Sequence, residues 1–143
     1  MKTMVRLIYV SRMARGLGSK ELESIVGTSR RKNQQSGITG ALCYSTRGFL
    51  QCLEGPSGVV NELYGHIIRD KRHVDVTLLA YSDIHQRSFA KWVMAYIRVD
   101  EADDLIVRKY IAEPAFDPFA MSGQQALGFL AEIAVEREKA LGK

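Results

Sequence analysis

The spacing of apolar residues along this chain switches several times between a period of two and a period near 3.6, and each switch marks a new element. Val5-Arg6-Leu7-Ile8-Tyr9-Val10-Ser11 has the β-branched and aromatic composition of a strand. A loop follows over Arg12-Met13-Ala14-Arg15-Gly16-Leu17-Gly18. Ser19 reads as a helix N-cap, with Glu21 and Glu23 in the first turn, where the helix dipole favours carboxylates. Leu22, Ile25, Val26 and Ser29 then recur at helical spacing, and the helix should stop before Gly37. Ile38–Ser45 and Gly48–Glu54 read as a hairpin around Thr46-Arg47, with Tyr44 opposite Phe49 and Leu42 opposite Gln51. Val59, Val60, Leu63, Tyr64, Ile67 and Ile68 make the apolar stripe of a second helix that ends near Asp70-Lys71-Arg72-His73. Val74–Tyr81 is a fourth strand, Asp83–Lys91 a polar connection and Trp92–Val99 a fifth strand.

This order, β-α-β-β-α-β with an added fifth strand, predicts an α+β fold of the ferredoxin-like type with two helices on one sheet face. Strand alternation puts Leu42, Phe49, Gln51 and Leu53 on one face and Cys43 and Cys52 on the other. That second face needs its own cover, which the C-terminal part can supply. Asp100–Ile111 is expected to be helical, with Pro114 and Pro118 as breaks. Ser122-Gly123-Gln124-Gln125 has the form of a capping box, and Ala126, Leu127, Leu130, Ile133 and Ala134 stripe the helix behind it. C-terminal helices should therefore cap the opposite face.

Composition narrows the class without naming a function. A chain of 143 residues, 46% apolar and 25% charged, suits one globular domain with a core that needs no metal or disulfide. A net charge of +4 neither demands nor excludes an acidic partner. No apolar run is long enough to span a membrane, and the first residues lack a signal-peptide pattern, which points to a cytoplasmic protein. Cys43 and Cys52 have no metal-ligand spacing and read as reduced packing residues. His66, His73 and His85 have no metal spacing either, and His85 reads as a surface residue.

The candidate chemistry lies in polar groups within apolar runs. Tyr9 and Gln51 interrupt two core strands, and Asn33 closes the inward face of the first helix. A buried carboxamide is costly unless it is hydrogen-bonded. Three such side chains aimed into one core suggest a bound polar ligand.

The residues also form a recognisable set: Leu7-Ile8-Tyr9-Val10-Ser11, Asn33 with Ser36-Gly37-Ile38-Thr39-Gly40, Leu42-Cys43-Tyr44, Phe49-Leu50-Gln51-Cys52-Leu53-Glu54-Gly55, Asp70-Lys71-Arg72-His73 and Phe89-Ala90-Lys91-Trp92-Val93-Met94. In this order, over roughly residues 4 to 100, the chain resembles the BLUF domain, a family of blue-light sensors using FAD. The resemblance implies a flavin-binding domain over 1–100, with 101–143 as a helical cap of the same compact unit, as in short stand-alone members. It implies FAD between the two helices, with Ile25 and Ser29 on one side, His66 and Ile67 on the other, and Leu42, Phe49 and Leu53 as floor. Asn33 would hold the ring edge, and its amide carries both a donor and an acceptor for it. Lys32, His66, Asp70, Arg72 and His73 would lie near the pyrimidine side, ribityl chain or phosphates. Lys32 departs from the family, whose members often carry Asn or His there, so its role is open.

By the same resemblance Tyr9 and Gln51 form a light switch. An electron and a proton leave Tyr9 by way of Gln51, charge recombines, and Gln51 is left rotated or in another tautomer, with a small red shift that decays in the dark. Trp92 and Met94, of one parity on the predicted fifth strand, are the two side chains that can approach Gln51 and pass the signal outward. No substrate is turned over, so the chain is not expected to be an enzyme. The signal would pass to a separate protein, response-regulator-like or a cyclic-di-GMP phosphodiesterase, from a homo-oligomer, with no membrane or nucleic-acid partner.

Two other readings share the fold. Arg47-Gly48-Phe49 opens like the signature strand of an RNA-recognition motif, but Leu50, Gln51 and Cys52 then fail the pattern of stacking aromatics. Arg12, Arg15, Gly16 and Gly18 could cradle an anion, as in a small phosphate-handling enzyme, although no general base accompanies them.

Overall fold

The computed structural model describes residues 3–112 and 115–141. One sheet of five strands forms its centre: β1 (Met4–Met13), β2 (Thr39–Ser45), β3 (Gly48–Pro56), β4 (His73–Asp83) and β5 (Ala95–Arg98). Their spatial order is β4-β1-β3-β2-β5. The first four pair antiparallel, whereas β5 runs parallel to β2 at the sheet edge. With α1 (Ser19–Ser36) and α2 (Ser57–Arg69) this is the predicted β-α-β-β-α-β order plus one strand. The hairpin register is also as predicted: Tyr44 faces Phe49 and Leu42 faces Gln51.

Both helices pack on one sheet face. Leu22 and Ile25 of α1 meet Leu42 and Phe49, while Val60 of α2 meets Val5, Leu7, Tyr9, Ile38 and Leu53. The opposite face carries Ile8, Val10, Cys43, Leu50 and Cys52 under α4 (Gly123–Leu141), whose Ala126, Phe129, Leu130, Ile133 and Ala134 complete that core. Burial pushes both thiols far above their ordinary range, which keeps them protonated and inert. The predicted capping box starts α4: Ser122 N–H donates to Gln125 Oε1 at 2.9 Å and Gln125 N–H donates to Ser122 Oγ at 3.1 Å. Among the described residues no helix is long and apolar enough to cross a membrane.

Four local expectations need correction. Gly18 rather than Ser19 is the N-cap of α1, and its N–H donates to Glu21 Oε2 at 2.8 Å. The carboxylate supplies the cap from inside the helix, so no capping side chain is needed at Gly18. Ile68 lies at the margin of the α2 stripe and is 53% exposed. Asp100–Ile111 holds only a 3-10 turn (Glu101–Asp103) and the single turn α3 (Asp104–Val107). Pro118 does begin a 3-10 turn, whereas Pro114 falls outside the described residues. The fifth strand starts at Ala95 instead of Trp92, because the preceding segment is tied into side-chain hydrogen bonds rather than a ladder.

Two glycines fix the geometry around β2. Gly37 ends α1 in the left-handed region at φ 73°, which glycine adopts without a Cβ penalty. A Cβ on Gly40 would collide with the carbonyl of Cys52, so only glycine lets β2 approach β3 there.

Candidate functional site

The helix-bearing face is not closed. Between α1 and α2 lies a cleft with a cavity of about 70 Å³, open to solvent at its mouth. Ile25, Thr28, Ser29 and Lys32 line it from α1, and Leu63, His66 and Ile67 from α2. Tyr9, Leu42, Phe49 and Gln51 form its floor, and Asp70, Arg72 and His73 one end. The floor follows from strand parity, since these sheet residues all point to the helix side.

Tyr9 and Gln51 are direct cross-strand partners on β1 and β3. Tyr9 O–H donates to Gln51 Oε1 at 2.5 Å, and both side chains are buried. Burial, reinforced by Tyr64 and Tyr96, pushes the Tyr9 phenol far above its ordinary range. Tyr9 therefore holds its proton at any physiological pH and offers it to Gln51. The other end of the amide is weakly engaged: Gln51 Nε2 donates only to Met94 Sδ, at 3.7 Å. A thioether is a weak acceptor, so Nε2 keeps hydrogen-bonding capacity to spare. The amide is thus anchored at its oxygen and loose at its nitrogen.

Asn33 is fully buried on the inner side of α1, one hydrogen bond behind the cleft-lining Ser29. Its Nδ2 donates to Ser29 Oγ at 3.2 Å, and Tyr96 O–H donates to the same oxygen at 3.4 Å. Asn33 Oδ1 has no partner among the described residues. A buried acceptor without a donor costs on the order of 1–3 kcal/mol, and a ligand N–H would relieve it. Leu53 also sits beside rather than on the cleft wall, inside the cluster of Val5, Leu7 and Val60.

The polar end is pre-assembled. Asp70 accepts from Arg72 at 3.0, 3.1 and 2.7 Å through the guanidinium and at 2.9 Å through the backbone N–H. This pairing holds the Asp70 carboxyl below and the Arg72 guanidinium above their usual values. His73 shares a 2.9 Å hydrogen bond with Ser11 Oγ and tilts against the Phe49 ring at 4.9 Å. Burial lowers its pKa, outweighing the opposing pull of Asp70, so the ring is neutral. Lys32 and His66 are exposed at the rim.

Trp92 and Met94 do not share a face. With β5 starting at Ala95, no pleat sets their parity. Met94 meets Gln51, whereas Trp92 packs on the opposite layer against Phe89, with ring centroids 6.2 Å apart. Sequence reasoning also missed Thr28 and Leu63 as cleft residues, although Leu63 stood in the inward stripe of α2. Neither rival reading fits. Phe49 is buried under the helix layer and α4 covers the other face, so the sheet offers no stacking platform for a base. Arg12 lies over the Phe119 ring at 3.7 Å and 3.7 Å from Asp75, already engaged by an aromatic face and a carboxylate.

A deep, mostly apolar cleft with a phenol–amide pair on its floor and an orphaned acceptor behind its wall suits a flat heteroaromatic ligand with a polar edge. Comparison with known families decides which. The family model described as BLUF, sensors of blue-light using FAD, matches residues 4–95. The chain belongs to this family. Its cofactor is FAD, and the family it belongs to senses blue light. The residues present fit a flavin, since Ile25 on one side and Leu63 and Ile67 on the other give the cleft apolar surface, and Asn33 Oδ1 has no partner among the described residues.

Among BLUF relatives, the photoactivated adenylate cyclase subunit beta of Euglena longa is 37% identical over 93 residues, 64% of this chain but 11% of its own length. The blue light- and temperature-regulated antirepressor BluF of Escherichia coli (strain K12) is 34% identical over 102 residues, 70% of this chain and 25% of its own length. The chain thus spans only about a tenth of the cyclase and a quarter of the antirepressor. The ground-state structure of BlsA superposes with a TM-score of 0.82 at 30% identity, covering 92% of this chain and 88% of that one. Its photo-activated state gives 0.81, so the two states share this fold.

Proposed function

We propose that the Tyr9–Gln51 pair is the light switch of this chain and that Met94 is its first contact toward the outside. The observation that carries this reading is the asymmetry of the Gln51 amide: a 2.5 Å bond from Tyr9 at Oε1 and a weak 3.7 Å contact with Met94 at Nε2. When bound, the flavin supplies absorption of blue light and an excited-state electron acceptor. Tyr9 is the electron and proton donor, with its proton held on the line between its own oxygen and Gln51 Oε1. Once that proton moves, the donor and acceptor ends of the amide exchange. Gln51 can then rotate or change tautomer, because among the described residues its Nε2 meets only the Met94 thioether. Met94, and through its segment Trp92, reads this reorientation.

In this reading Ile25, Thr28, Leu42, Phe49, Leu63 and Ile67 exclude water from the ring, and Leu53 supports the floor. Asn33 and Ser29 hold the ring edge. Asp70, Arg72 and His73 order the polar end, while Lys32 and His66 meet the tail at the rim. Residues 1–100 form the sensor and 101–143 a cap of the same unit. The protein works in the cytoplasm as a homo-oligomer and hands its signal to a separate effector of the response-regulator or cyclic-di-GMP phosphodiesterase kind. An antirepressor and cyclases among the relatives support light-controlled output of this general type.

Tyr9→Phe tests the donor role. Blue-light difference spectra should show flavin still bound and the reversible red shift lost. A normal photocycle in that variant would remove Tyr9 from the mechanism.

A further inference from the structure

The segment that carries Trp92 and Met94 has no strand ladder of its own, yet it is firmly held. Glu54 of β3 is fully buried, and its carboxylate accepts from Phe89 N–H at 2.8 Å, Ser88 N–H at 3.0 Å and Arg6 Nε at 2.8 Å. Arg6 also donates to Ser88 Oγ at 2.7 Å. Arg87 Nη1 donates to Gly37 O at 3.0 Å, Thr39 Oγ1 at 2.9 Å and Glu54 O at 3.1 Å. The bonds then continue in sequence. Phe89 O accepts from Trp92 N–H at 3.0 Å, and Trp92 O accepts from Gly40 N–H at 3.3 Å.

We infer that Glu54 and Arg87 are positioning residues that hold the 87–94 segment with Met94 against Gln51 and Trp92 in the opposite layer. This rests on the switch proposed above and adds what sets its output arm. Glu54 cannot act on Gln51 directly, because residues three apart on a strand face opposite sides of the sheet. It acts through the backbone N–H groups of Ser88 and Phe89. Phe89 is fully buried, so its N–H must be paired, and Glu54 is its recorded acceptor among the described residues. An amide in place of the Glu54 carboxylate would put a donor where one of its oxygens now accepts, either from Phe89 N–H or from both Ser88 N–H and Arg6 Nε, and would release at least one of these contacts. Loss of Arg87 would free the same segment from the end of α1 and the start of β2.

Trp92 is the only tryptophan of the chain, so its emission reports this segment, and equal flavin loading keeps energy transfer to the flavin common to all variants. The test compares Glu54→Gln and Arg87→Ala with the parent protein, all with flavin bound in the dark. It uses circular dichroism for folding, Trp92 emission and acrylamide quenching, and dark-recovery kinetics. The expected result is native folding, red-shifted and more quenchable Trp92 emission, and a dark-recovery rate changed by about tenfold, with the light-induced red shift still formed. If burial of Glu54 makes its variant unfold, Arg87→Ala carries the test, since that guanidinium is only half-buried. Folded variants with unchanged emission and recovery would overturn the inference. So would altered recovery with unmoved emission, because the staple would then not act through this segment. A parent protein with no photocycle would instead count against the switch, while the emission arm would still decide the staple.

Discussion

The two faces of the sheet are built from alternate residues of the same strands, and they solve opposite problems. Toward α4, Ile8, Val10, Cys43, Leu50 and Cys52 join Phe129, Leu130 and Ile133 in one continuous apolar core. The buried carboxylates on the two sides of that layer are fully tied: Glu54 to Arg6 and two N–H groups, Asp103 to Arg137 at 2.8 Å through both oxygens. Toward α1 and α2 the core is split into two small clusters with the cleft between them. There the polar atoms are under-used: among the described residues Asn33 Oδ1 has no donor and Gln51 Nε2 has only a sulfur. Buried polarity alone therefore does not mark the site. Incomplete satisfaction does, because a folded chain keeps unsatisfied groups only where something else completes them.

The largest effect should come from breaking the under-used side at its centre. Gln51→Leu removes the acceptor for Tyr9 and the movable amide together. It should keep flavin bound and abolish the red shift entirely in blue-light difference spectra. An unchanged photocycle would exclude Gln51 from the mechanism. On the saturated side, Phe129→Ala should cost about 3–5 kcal/mol in urea unfolding and leave the size of the red shift intact. A spectral loss in folded protein would show that the two faces are not separable.

Asn33→Ala sharpens the contrast further. It deletes an acceptor that has no donor among the described residues. Flavin affinity should fall by about tenfold to a hundredfold, on the order of 1–3 kcal/mol, while flavin-free protein loses little stability. Equal losses with and without flavin would make Asn33 a plain structural residue.

The smallest effect is on pH dependence. Burial lowers the His73 pKa below its ordinary value of 6.5, so the unfolded chain binds a proton that the folded ring resists. This contribution is complete above about pH 6.5 and is lost as pH falls through the folded value, with a slope of at most about 1.4 kcal/mol per pH unit. His73→Phe should flatten that part of a denaturation series. A slope unchanged by the substitution would place the titrating group elsewhere.

These contrasts were partly legible in the chain. Alternation in β1, β2 and β3 assigned Leu42, Phe49 and Gln51 to one face and Cys43 and Cys52 to the other, because a strand's period is fixed by backbone geometry. The capping box of α4 was legible for the same reason, since its partners stand three residues apart. The placement of Trp92 and Met94 was not. It depends on Glu54 and Arg87, which lie more than 30 residues from some of their partners and have no local pattern that announces the contact. The parallel pairing of β5 with β2 is likewise a long-range outcome that periodicity does not encode.

The most direct test is the visible absorption spectrum of the purified protein in the dark and after blue light. The account predicts a flavin spectrum that moves slightly to the red on illumination and returns in the dark. Bound flavin with no shift would contradict the Tyr9–Gln51 switch, and a protein that takes up no flavin would contradict the site itself.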